Sequence, residues 1–147
     1  MLLKNACIEN AEELVDIRIK NGKFYEIEKN LEGQDGEEII ECKDKLILPP
    51  FIESHVHLDT CLTAGQPVWN RSGTLFEGIE CWSKRKEMLT KKDIKERVNK
   101  VVRMQASYGI QYVRTHVDVT DPKLLAMETL LELKEELKDF MEIQNTN

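Results

Sequence analysis

The chain has 147 residues, 41% of them hydrophobic and 33% charged, which is the composition of a globular chain with one modest core and excludes a disordered or fibrous one. Its 27 acidic against 21 basic residues give a net charge of -6, which repels nucleic-acid phosphates and anionic headgroups and suits a small neutral molecule as partner. The longest nearly apolar run, Leu46 to Ile52, is broken by two prolines and falls far short of the roughly 20 residues a bilayer crossing needs, so no membrane span is expected.

The first residues, Met1 to Cys7, show no basic leader followed by a sustained apolar stretch, so no secretory signal is read there. Cys7, Cys42, Cys61 and Cys81 are scattered without a Cys-x-x-Cys pair, as free thiols in a reducing compartment would be; a cytoplasmic location is expected. Residues 1–48 alternate short apolar-rich stretches with turn signals at Asn21-Gly22, Gly33 and Asp35-Gly36, which predicts short strands. Leu14–Lys20 and Lys23–Ile27 flank Asn21-Gly22 as a hairpin would, and the whole reads as a small antiparallel module. Pro49-Pro50 can neither continue a sheet ladder nor start mid-helix, so a boundary is placed there.

From Phe51 the pattern becomes strand, helix, strand, helix, the signature of a parallel sheet built from β/α units. Phe51 to Leu58 reads as a strand. Thr74-x-x-Glu77 and Thr90-x-x-Asp93 each set a hydroxyl three residues ahead of a carboxylate, the capping pattern of a helix start. The second helix carries a stripe of Ile94, Val98, Val101 and Val102, and Gly109 stands where a C-terminal cap belongs. Ile110 to Val119 is the next strand, and Asp121-Pro122 is expected to cap and open a third helix running to about Leu137. Phe140 to Ile143 begins a third strand, after which Gln144-Asn145-Thr146-Asn147 turns polar, so the chain looks cut or frame-shifted near residue 144.

Strict alternation puts Phe51, Glu53, His55 and His57 on one face of the first strand, and Tyr112, Arg114, His116 and Asp118 on one face of the second, with mostly apolar residues opposite. Ionisable groups on an inner face near strand C-termini, with an apolar outer face for helices, fit a β/α barrel with its site at the mouth. His55-Val56-His57 has two readings at this point: imidazoles at i and i+2 that reach one metal ion at about 2.0–2.1 Å, or hydrogen-bonded core histidines. All three histidines of the chain stand at strand ends, which favours the ion. Cys61, four residues after His57, reads as a small buried hydrophobe rather than a ligand. The zinc-binding signature His-x-Glu with Pro-Cys-x-x-Cys is absent from the sequence.

Leu48-Pro49-Pro50-Phe51-Ile52-Glu53-Ser54-His55-Val56-His57-Leu58-Asp59-Thr60 resembles the first barrel strand of the amidohydrolase superfamily. Thr63-Ala64-Gly65-Gln66-Pro67, Trp69-Asn70, Ser72 to Glu80 and Val113 to Val119 resemble, more narrowly, the metal-dependent cytosine deaminases of bacteria. The resemblance implies the N-terminal part of a TIM-like (β/α)8 metal-dependent hydrolase barrel, with residues 1–48 as a small β module of a composite domain and 49–147 as the first two to three β/α units. It also implies hydrolysis of cytosine to uracil and ammonia, Fe²⁺ or Zn²⁺ held by His55 and His57, and Leu75 beside the pyrimidine. The alternatives are a creatinine or triazine deaminase of the same superfamily, or a metal-binding or interaction fragment that catalyses nothing.

A full barrel takes roughly 250 residues, so the family's remaining ligands and proton-moving residues are absent here and little or no turnover is expected from this chain alone. A homo-oligomer, or the missing C-terminal part, is expected as partner. Glu53 and Arg114 are predicted to pair inside the lower barrel. His116 and Asp118, together with that pair, are predicted to steady the ligands from behind rather than bind the ion.

Overall fold

The computed structural model describes residues 1–146 and divides into two compact units, Met1–Pro49 and a second that begins at Pro50. No helix among the described residues is long and apolar enough to cross a membrane.

In the first unit, β1 (Leu2–Ile8), β2 (Val15–Lys20), β3 (Lys23–Glu28), β4 (Ile39–Glu41) and β5 (Leu46–Ile47) form one sheet in the order β3-β2-β1-β4, with β5 also on β1. The hairpin is as expected: Lys20 faces Lys23 across Asn21 and Gly22, whose φ angles of 53° and 71° match the twist of the flanking strands. The module is not purely antiparallel, because β4 and β5 both run parallel to β1. Gly33 and Asp35-Gly36 lie in the long return after β3, which carries the chain back to the start of β1 and so forces a parallel pairing. Ala6, Ile17 and Cys42 form a small core. Two charges are buried beside it with partners: Asp16 accepts from Lys4 and from the amides of Asn5 and Leu31, and Arg18 donates to Glu26, Glu37 and the Glu32 carbonyl.

In the second unit, β6 (Phe51–Val56), β7 (Ile110–His116) and β8 (Glu142–Thr146) form a parallel sheet in the order β6-β7-β8. The connecting helices are α1 (Leu75–Lys86), α2 (Lys91–Ser107) and α3 (Leu125–Leu137). Both hydroxyl caps form, with Thr74 Oγ1 accepting from the Glu77 amide and Thr90 Oγ1 from the Asp93 amide. The α2 stripe of Ile94, Val98, Val101 and Val102 meets Val113 and Ile143 of the sheet and Leu130 and Leu133 of α3 in one core. Burying each such side chain contributes about 1.5–3 kcal/mol.

Three expectations are corrected. Asp121 does not cap α3: its side chain accepts from the Lys123 amide and its carbonyl from the Leu124 amide, which closes a separate turn, and Leu124 at φ 49° separates that turn from a helix starting at Leu125. Gln144, Asn145 and Thr146 continue β8 in register with Arg114, Thr115 and His116, because backbone pairing tolerates their polar side chains. The strict alternation of β6 also fails. Ile52 pairs with Tyr112, Glu53 with Val113 and Val56 with Thr115, so three steps on β6 match two on β7. That bulge leaves Ser54 and His55 both exposed, while Glu53 and Val56 are partly buried on the helix side.

Candidate metal centre

The C-terminal ends of β6 and β7 bring all three histidines together. Ring centroids lie 5.4 Å apart for His55 and His57, 4.0 Å for His55 and His116, and 5.8 Å for His57 and His116. The first pair is tilted by 64°, the second is nearly stacked at 25°. With metal–nitrogen distances of about 2.0–2.1 Å, two imidazoles on one ion have ring centres on the order of 5 Å apart, the order of the His55–His57 spacing. Among the described residues no group of three or more His, Cys, Asp or Glu side chains is arranged to hold an ion. His116 instead stacks on His55, and its Nδ1 lies 3.2 Å from Thr146 Oγ1. Burial, together with the neighbouring His55, His57 and Arg114, pushes the His116 imidazole below the ordinary histidine range.

The chain after β6 is fastened from three sides. Thr115 Oγ1 accepts the Leu58 amide at 3.0 Å, the Asp118 amide donates to Asp59 Oδ2 at 3.0 Å, and Arg97 Nη1 donates to the carbonyls of Asp59 and Cys61 at 2.8 and 2.7 Å. Arg97 is itself held by Asp93, which also takes Arg85, and the two guanidiniums hold the half-buried Asp93 carboxyl below the usual range against the opposing effect of burial. Asp118 accepts from Trp82 Nε1 at 2.6 Å, Lys86 Nζ at 2.8 Å and Thr120, which ties α1 to the end of β7. Burial raises the Asp118 carboxyl, but these donors outweigh it and hold the group far below the usual range. Asp59 shifts the other way, because its burial dominates over the Asp118 amide and the nearby His57.

Of the residues singled out in the sequence, His55, His57 and His116 come together, whereas the Asp118 carboxylate is taken by Trp82, Lys86 and Thr120. Glu53 and Arg114 do not pair. Glu53 Oε1 accepts from the His55 amide at 3.0 Å, and Arg114 Nε donates to Gln144 at 2.9 Å, because the β6 bulge turns Glu53 toward the helices while Arg114 stays on the open face. Leu75 is the first residue of α1, 74% exposed and free to meet a ligand. Asp59, Thr115, Arg97, Trp82 and Lys86 were not foreseen as part of the site. His-Leu-Asp gave a hint of Asp59 by adjacency, whereas nothing local marks Arg97, which acts across 36 to 38 residues.

No family model matches the chain. The structure of 5-methylcytosine deaminase from Klebsiella pneumoniae liganded with 5-fluorocytosine matches with a TM-score of 0.89 and 42% identity, over 99% of this chain and 35% of that one. N-isopropylammelide isopropyl amidohydrolase of Pseudomonas sp. (strain ADP) is 36% identical over 98% of this chain and 37% of its own length. N-isopropylammelide isopropylaminohydrolase from Burkholderia multivorans matches with a TM-score of 0.76 and 26% identity, over 98% of this chain and 36% of that one. The chain thus spans little more than a third of the length of these relatives. Its α/β units, its clustered strand-end histidines and these likenesses agree: over nearly all of its length the chain is similar to about a third of the length of proteins named as amidohydrolases and as a 5-methylcytosine deaminase.

Proposed function

We propose that the chain supplies the first two ligands and part of the substrate wall of a metal-dependent hydrolytic deaminase acting on a cytosine-like pyrimidine, the product being the corresponding uracil and ammonia. The observation that supports this most is the pair His55 and His57, 5.4 Å apart at the C-terminal end of a parallel sheet, in a chain 42% identical to a 5-methylcytosine deaminase. When bound, Fe²⁺ or Zn²⁺ lowers the pKa of water toward neutrality and polarises the reacting bond. His55 and His57 hold that ion. Leu75 borders the pyrimidine ring, and the stacked His116 and the anchored Asp118 keep the ligand rings in place. Arg114, together with Glu53 through the His55 amide, steadies the strands that carry the histidines.

The leading β module and the two to three β/α units are read as parts of a composite β domain and a (β/α)8 barrel whose remaining strands supply the other ligands and the proton-moving groups. Activity therefore requires that remaining segment, whether covalently attached or added in trans, and assembly as a homo-oligomer is part of the proposal. The four free thiols suit a cytoplasmic protein. The 36% identity to an N-isopropylammelide amidohydrolase favours a second reading, removal of an amine from a triazine ring.

The test is ammonia release from cytosine, 5-methylcytosine and N-isopropylammelide with Fe²⁺ or Zn²⁺ added. The chain is assayed alone and mixed with a polypeptide carrying the remaining two thirds of the Klebsiella enzyme. Turnover of a cytosine only in the mixture, lost in His55→Ala, is the expected outcome. Turnover of the triazine alone would favour the second reading, and metal retention without any turnover would leave a non-catalytic metal-binding fragment.

A further inference from the structure

Thr146 and His116 stand opposite each other on neighbouring parallel strands, so their side chains leave the sheet on one face. The backbone of Thr146 is fixed there, its carbonyl accepting the Val117 amide at 2.9 Å. The imidazole is held from its face, stacked on His55 with ring centroids 4.0 Å apart.

The Thr146 hydroxyl meets two groups, the Thr115 carbonyl oxygen and the His116 Nδ1, each at 3.2 Å. A hydroxyl has one proton to give, and a carbonyl oxygen can only accept. Both bonds exist together only when Oγ1 donates to the Thr115 carbonyl and accepts from His116 Nδ1–H. The opposite tautomer would set two acceptors against one proton and leave one contact empty. In a neutral imidazole, a proton on Nδ1 leaves Nε2 bare.

We propose that Thr146 is a positioning residue for His116: its Oγ1 accepts the Nδ1–H and fixes the neutral ring in the tautomer whose Nε2 is an acceptor. His116 then offers a small molecule at the strand ends a lone pair and no proton. That suits a ligand N–H, such as an amino group on a ring. The role differs from that of His55 and His57, and it rests on reading the three strand-end histidines as one site.

The test is ring-nitrogen NMR by magic-angle spinning, which tolerates an oligomeric chain, at about pH 8, above the ordinary histidine value of about 6.5. The chain has three histidines, and the His116 signals are those missing from His116→Gln. Wild type, Thr146→Ser and Thr146→Val are compared; valine keeps the shape of threonine on the strand and removes the oxygen. The expected result is Nδ1–H as the single His116 tautomer in wild type and Thr146→Ser, and its loss in favour of Nε2–H in Thr146→Val. Nε2–H in the wild type, or one and the same tautomer in wild type and Thr146→Val, would overturn the proposal. So would a change in Thr146→Val that Thr146→Ser shares, since serine keeps the hydroxyl. Added Zn²⁺ tests the site reading separately: His55 and His57 ring signals that do not move would sink that reading, while the tautomer comparison still decides the part played by Thr146.

Discussion

Oγ1 of Thr115 accepts the amide N–H of Leu58 at 3.0 Å, a fully buried bond that joins the ends of two parallel strands across 57 residues of sequence. It continues the pairing of β6 and β7 where their backbone ladder stops at Val56 and Thr115. Thr115→Val keeps the volume and removes the acceptor, leaving a buried N–H unpaired at a loss of about 1–3 kcal/mol. Urea unfolding of the two proteins measures it; equal midpoints would mean the bond contributes nothing net.

Asp93 governs a pH dependence. Arg97 and Arg85 hold its folded-state pKa below the ordinary value of about 3.9. The sign follows: stability from this group is fully present above that value and is lost as pH falls through the depressed one. Asp93→Asn is therefore less stable than wild type at pH 7, and the gap narrows steadily below about pH 4. A gap that stays constant from pH 7 to pH 3 would show that the carboxylate charge is not what Arg85 and Arg97 require.

Gly65 has φ 79°, and a Cβ there would stand 2.6 Å from two carbon atoms of the Trp69 indole. Gly65→Ala combines a left-handed backbone penalty of about 1–2 kcal/mol with displacement of the ring. Faster proteolysis between residues 60 and 74 with little change in the melting of the sheet is expected. Wild-type cleavage rates would show that the loop repacks without strain.

His55 and His116 stack but are assigned different work. In the chain joined to its complementary segment, His55→Ala loses bound metal, while His116→Ala keeps measurable metal and loses part of the activity. Metal content by atomic emission alongside ammonia release separates the two. Equal depletion would make His116 a ligand.

The open face of the sheet exposes Ile52 and Tyr112, at 69% and 46%, and Phe51 at the start of β6 is 56% exposed. Apolar surface presented this way promotes association. The isolated chain is expected to elute as oligomer or aggregate at micromolar concentration, and Ile52→Lys to shift it toward monomer. A monomeric wild type with one sharp thermal transition would contradict this.

Local chemistry made much of this protein legible in its sequence. Asn21-Gly22 set a hairpin, Thr74 and Thr90 set helix starts, and the α2 stripe set its buried face, because each depends on residues within one or two turns. His-x-His at a strand end likewise announced two imidazoles that meet. What depends on a partner strand was decided only in three dimensions. Alternation assumes an unbroken ladder, and the bulge in β6 moved Glu53 to the helix side, dissolved its expected pairing with Arg114 and set Ile52 on the open face. The polar run Gln144 to Thr146 became a strand because β7 offered its backbone groups. The return of β4 and β5 parallel to β1, and the reach of Arg97, Trp82 and Lys86 to the strand ends, follow from chain segments 30 or more residues apart finding one another, and no period or motif encodes such meetings.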